Sequence, residues 1–161
     1  MWTLVAVLLP ALGLPCLLAV ASGPGLPRLT APAQWPPELW SIAITGGAAT
    51  LAGVLDWWFH RMGGRRVPCA ERRMELCALA LGAVLFALLV VASVSERRGW
   101  LLAPIVAAAL ATAALVRLDE RRFHRACGRY ETWLHRLLVG GNGLAFLAWV
   151  HWCFARGALH G

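Results

Sequence analysis

Leu76-Cys77-Ala78-Leu79-Ala80-Leu81-Gly82-Ala83-Val84-Leu85-Phe86-Ala87-Leu88-Leu89-Val90-Val91-Ala92-Ser93-Val94 carries no charged group and is bounded by Glu75 on one side and Glu96-Arg97-Arg98 on the other. As a helix it would be about 28 Å long, enough to cross a hydrocarbon layer of about 30 Å. It is apolar on every side, so it has no face to offer water. Working outward, the same character recurs. Segments 2–21, 39–59, 75–95, 101–118 and 133–155 are all long and predominantly apolar, in a chain that is 60% hydrophobic and 14% charged. The expected fold is all-α: a multi-pass membrane protein of five transmembrane helices in one domain, residues 1–161. The first segment reads as a retained helix rather than a cleaved signal peptide, because no Lys or Arg precedes its apolar run. Residues 22–38, rich in Pro and Gly, read as a loop at the membrane surface with Trp35 and Trp40 as interfacial anchors. Pro10, Pro15 and Pro104 are expected to kink the first and fourth helices.

All fifteen basic residues are Arg. Eleven of them (61, 65, 66, 72, 73, 117, 121, 122, 125, 129 and 136) fall around the second-to-third and fourth-to-fifth connections; four (28, 97, 98 and 156) fall on the other side. The positive-inside rule then puts the N-terminus in the cytoplasm and the C-terminus outside, an arrangement suited to a bacterial inner membrane. The net charge of +7 reads as topology and contact with anionic lipids, with Arg61, Arg65, Arg125 and Arg129 as candidate anion or headgroup contacts. A nucleic-acid partner is not expected, since the basic loops are short and lack a stacking platform. The five cysteines form no metal-binding spacing. Cys69, Cys77 and Cys127 are expected to be plain thiols, and Cys16 and Cys153 lie toward the outer side.

Where the apolar segments end, a motif recurs: Leu55-Asp56-Trp57-Trp58-Phe59-His60-Arg61 and Leu118-Asp119-Glu120-Arg121-Arg122-Phe123-His124-Arg125. Each is followed by a Gly-Arg pair and then by two potential ligands four residues apart, Glu71 and Glu75 or Glu131 and His135. Six of the eight acidic residues and three of the five histidines lie here. Residues four apart share a helix face, so Asp56/His60, Glu71/Glu75, Glu120/His124 and Glu131/His135 form four such pairs at one membrane depth. Asp119 falls off that face and is expected to support the pairs from behind. The repeat, about residues 45–95 and 108–155, predicts that helices two to five close as a pseudo-symmetric four-helix bundle, the setting in which carboxylate-bridged metal pairs are built. Carboxylate and imidazole without thiolate clusters suit iron, manganese or zinc. The leading expectation is therefore a site for two divalent metal ions, iron first, oxidising a lipid-soluble substrate. In that site His60, Glu75, Glu131 and His135 would be ligands, with Asp56, Glu71, Glu120 and His124 bridging or supporting.

Three alternatives stay open. Salt bridges and helix caps among the Arg residues would make the protein a non-catalytic accessory subunit bound to other membrane subunits. A single b-type haem could be held by His60 or His124 with His135. An anionic lipid headgroup could occupy the Arg clusters. His151, about 24 Å along the last helix from His135, reads as an interfacial residue beside Trp149 and Trp152. Gly46, Gly47, Gly53 and the run Gly140-Gly141-Asn142-Gly143 predict close packing of the second helix on the fifth.

The doubled pattern resembles that of small bacterial multi-pass membrane proteins of unassigned function, through Asp56, His60, Arg61, Glu71, Glu75, Asp119, Glu131 and His135, over about residues 45–140. Glu75 stands where that pattern has His, and the His-Glu pair that precedes its second Asp is missing. The resemblance implies a shared site and names no reaction.

Overall fold

The computed structural model describes residues 32–62, 68–123 and 128–156. The first apolar segment, Cys16, Cys127, Arg65, Arg66, Arg125 and His124 lie outside them. Four long helices make up the described chain: α1 (Pro37–Met62), α2 (Cys69–Val94), α3 (Leu102–Phe123) and α4 (Arg129–Val150), the last continued by a π-helical turn, His151–Ala155. Each is long and apolar enough to cross a membrane, where a helix satisfies all of its backbone polar groups internally. Four such helices among the described residues are what a multi-pass membrane protein requires.

Three of the four helices begin earlier, and two end later, than apolar composition predicts. In α1, Pro37 takes the first position, where its missing N–H costs nothing, and the Leu39 amide donates to the Pro36 carbonyl at 3.0 Å. α2 begins six residues before Glu75 because the Pro68 carbonyl already accepts the Arg72 amide at 3.1 Å. α4 begins four residues before Trp133, where the Gly128 carbonyl accepts the Thr132 amide at 3.0 Å. The described motif residues thus lie within helices. At the other end of α2, Ser95 turns extended, and its amide and hydroxyl both donate to the Val91 carbonyl. A short 3-10 turn, Gly99–Leu101, leads into α3. Pro104 is the third residue of α3. In that first turn its absent N–H would have had no intrahelical partner.

The helices pack in two antiparallel pairs, α1 with α4 and α2 with α3. α1 and α4 touch through small residues; of the glycines expected there, Gly46 and Gly141 lie at the contact, while Gly47, Gly140 and Gly143 face open space. An added Cβ at Gly141 would lie 2.7 Å from the Thr45 carbonyl oxygen and 3.0 Å from the Ala49 Cβ, and one at Gly46 would meet the Ala145 Cβ at 3.7 Å. Ala49 and Ala52 are buried in this seam. Thr45 and Thr50 return their hydroxyls to carbonyls of their own helix, which keeps polar atoms satisfied away from water.

The two pairs join at the end opposite the doubled motif. Leu39 and Ile42 of α1, Leu89 and Ala92 of α2, Leu101 and Ile105 at the start of α3, and Trp149 and Cys153 beyond the middle of α4 form one buried cluster. Phe86 meets Trp149 edge-on at 5.5 Å. The Trp149 indole N–H donates to Ser93 Oγ at 2.8 Å, and Ser93 in turn donates to the Leu89 carbonyl at 2.8 Å. Cys153 is buried as a free thiol, with Sγ 3.5 Å from the same Ser93 oxygen, while Cys69 and Cys77 are free and exposed.

Candidate functional site at the motif end

Up-and-down connectivity brings the C-terminal turns of α1 and α3 and the N-terminal turns of α2 and α4 to one end. Glu71 is the third residue of α2 and Glu131 the third of α4. Both are almost fully buried, at 2% and 7% exposure. A carboxylate is favoured by the dipole at that position, but dipole stabilisation does not require burial. Nor can Glu71 close a capping box, because the residue that would supply the return N–H is Pro68.

His60, near the end of α1, crosses to α4. Its Nε2 lies 3.3 Å from Glu131 Oε1 and 3.6 Å from Asp56 Oδ1, the latter one turn back on its own helix. Phe59 packs beside it on Tyr130 of α4, ring centroids 5.6 Å apart. From α3 the buried acid is Asp119, at 7% exposure, and Glu120 is exposed. This reverses the expected order of the two. α3 continues unbroken to Phe123, so the inward face set by Ile105 and Thr112 returns at seven-residue spacing to Asp119, leaving Glu120 about 100° away. The Oδ1 of Asp119 and the Nε2 of His135 are both shielded from solvent. Glu75 is partly buried on the same face of α2 as Glu71. Asp56, Glu71, Glu75, Asp119, Glu131 and His135 are each engaged in further interactions.

Of the expected ligands, then, the structure sets His60 beside Asp56 and beside Glu131. It buries Glu71 and Asp119 at the same end and sets Glu120 apart; His124 lies outside the described residues. Among the described residues, no three His, Cys, Asp or Glu side chains converge on a common point for a metal ion. The nitrogen His60 would offer a haem iron, Nε2, is the one that faces the two carboxylates. Of the expected anion contacts, Arg129 lines a groove of about 380 Å³ with Thr132, Trp133 and Arg136. Arg65 and Arg125 lie outside the described residues, as does the side chain of Arg61.

One polar cluster was not anticipated. At the opposite end, Glu38 in the first turn of α1 receives Arg156 Nη1 on Oε2 at 2.7 Å, and its Oε1 lies 3.1 Å from His151 Nδ1. Antiparallel packing of α1 and α4 brings these ends together, since one helix begins where the other ends. The available signal was Glu38 itself, an acid outside both motifs on a side otherwise marked by few charges. Comparison with protein-family models, curated proteins and solved structures gives no match to the chain.

Proposed function

We propose that the protein is a membrane-embedded metal–carboxylate protein whose centre is built on His60, Asp56 and Glu131, with Glu71, Glu75, Asp119 and His135 around them. The carrying observation is the spacing at His60. Distances of 3.3 and 3.6 Å are long for a charge-assisted N–H···O bond, which settles at about 2.7–2.9 Å. Tetrahedral ligand atoms about 2.0–2.2 Å from one cation stand about 3.3–3.6 Å apart. Burial of Glu71, Asp119 and Glu131 supports the same reading, because a buried carboxylate costs several kcal/mol unless a positive charge answers it. The donor set favours iron, manganese or zinc. Two ions per chain and oxidation of a lipid-soluble substrate complete the proposal, with the motif end in the cytoplasm, a further span over residues 2–21, and the hairpins α1–α2 and α3–α4 as an internal repeat. What supports the repeat is the matching place of Glu71 and Glu131 in their helices, and the pairing of α1 with α4 and of α3 with α2, which a two-fold relation demands.

Elemental analysis of protein purified without chelator tests this. About two equivalents of one transition metal are expected, falling at least tenfold in His60→Ala and in Glu131→Ala, and also in Glu71→Ala if the hairpins share one site. Metal near zero in the unaltered protein, or content indifferent to His60 and Glu131, would overturn it. A second reading is favoured by the further interactions of the acidic residues: a structural ion-pair network in an accessory subunit. It predicts a Glu71→Ala protein that holds no metal before or after mutation and loses stability, with about 3–5 kcal/mol for a broken buried pair.

A further inference from the structure

The lipid-facing side of α4 carries a feature the metal reading does not use. Arg129, Thr132, Trp133 and Arg136 line one groove at the motif end. Both arginines are exposed, and neither has a carboxylate partner among the described residues. Seven residues separate them, about 10 Å along the axis. The Cα–Cβ bond of Arg136 tilts toward the helix N-terminus, and a long Arg stem in apolar surroundings carries its head back toward the interface. Both guanidinium groups therefore serve the same groove. Trp133, more than half exposed, sits at the depth where indole rings anchor to headgroups.

Beyond the arginines the same face continues as Val139, Gly140, Gly143 and Leu147. Val139 and Leu147 are exposed, and an added Cβ at Gly140 or Gly143 would meet nothing within 4 Å. The two glycines leave a shallow apolar trough leading from the charged groove toward the middle of the membrane. A phosphate on a pair of guanidiniums with an acyl chain in the trough below satisfies both halves at once. Free phosphate would use only the first.

The geometry points to a site for one anionic phospholipid, its headgroup phosphate held by Arg129 and Arg136 and an acyl chain lying over Gly140 and Gly143. This inference is independent of the metal centre, whose proposed ligands it does not touch.

The test uses the full chain, stripped of lipid in detergent and returned to phosphatidylglycerol or to phosphatidylcholine with the same acyl chains, read by native mass spectrometry and by thermal unfolding. Phosphatidylglycerol is expected to remain bound and to raise the unfolding temperature, at least tenfold more tightly than phosphatidylcholine. The Arg129→Gln/Arg136→Gln protein should lose this preference, and Arg129→Lys/Arg136→Lys should keep part of it. Gly140→Leu/Gly143→Leu, which fills the trough, should weaken retention with both arginines intact. Neutralising Arg121 and Arg122, exposed on α3 at the same end, should change nothing. Four results would overturn the site: equal binding of the two lipids, protection by inorganic phosphate alone, an equal loss on neutralising Arg121 and Arg122, or a dimer in place of bound lipid that the same α4 substitutions dissolve.

Discussion

Gly141 shows how much a single missing Cβ decides. Its backbone approaches the Thr45 carbonyl so closely that a methyl group would sit 2.7 Å from that oxygen, and backbone on both sides leaves nothing flexible to yield. Gly141→Ala is expected to destabilise the chain by about 1–3 kcal/mol, the cost of overpacking. Gly47, on the same helix pair but in open space, is the control. Gly47→Ala should be neutral or stabilising by up to about 1 kcal/mol, from helix propensity alone. Thermal or denaturant unfolding in one detergent compares the two, and equal effects would mean that α1 and α4 do not meet at Gly141. Ser93 offers a second contrast. Ser93→Ala strands the Trp149 indole N–H and should cost about 1–3 kcal/mol, whereas an ordinary hydrogen bond contributes only about 0.5–1.5 kcal/mol net. If the cost matches that of replacing Ser95, whose hydroxyl only returns to its own helix, the Ser93–Trp149 bond does not tie α2 to α4.

At the scale of the elements, the α1–α4 pair is closed at both of its ends by polar contacts and between them by small residues. The contact opposite the motif, Glu38 with Arg156, joins the first turn of α1 to the turn after α4. A double-mutant cycle with Glu38→Gln and Arg156→Gln is expected to give a coupling of about 0.5–3 kcal/mol, reduced by salt because the Arg156 side chain is 40% exposed. A coupling near zero would mean that the two helix ends are not held together there. The α2 and α3 helices are largely uncovered along their length. Their apolar faces are the ones a bilayer must solvate.

For the whole molecule, the paired helices place the described motif residues at one end, and the Arg asymmetry predicts which side of the membrane that end occupies. Cys69, exposed at the start of α2, provides a reporter. A membrane-impermeant maleimide should reach it only from the cytoplasmic side in inverted vesicles, and buried Cys153 should stay unlabelled from either side until the protein is unfolded. Labelling of Cys69 in intact cells with a closed inner membrane would invert the arrangement and move the carboxylate cluster to the exterior. Much of this was legible beforehand. Long uncharged runs such as Leu76–Val94 can do nothing but span or bury, and the i,i+4 arithmetic correctly set Glu71 with Glu75 on a common face. The choice of Asp119 over Glu120 was not legible. Adjacent acids differ by only 100° of rotation, and the phase is set by where Ile105 packs some twenty ångströms away.

The sequence by itself determined that this is a helical membrane protein and that its carboxylates and imidazoles gather near helix ends, because hydrophobic run length and helical periodicity act locally and need no partner. It also announced a close glycine seam, since small residues are useful in a membrane helix chiefly where another backbone comes near. Only the tertiary structure decided which helices share that seam, that His60 reaches Glu131 across it, and that Glu38 meets Arg156. Those pairings join residues far apart in the chain. Their register follows from the packing of whole helices, where a shift of one residue rotates every side chain to a different neighbour.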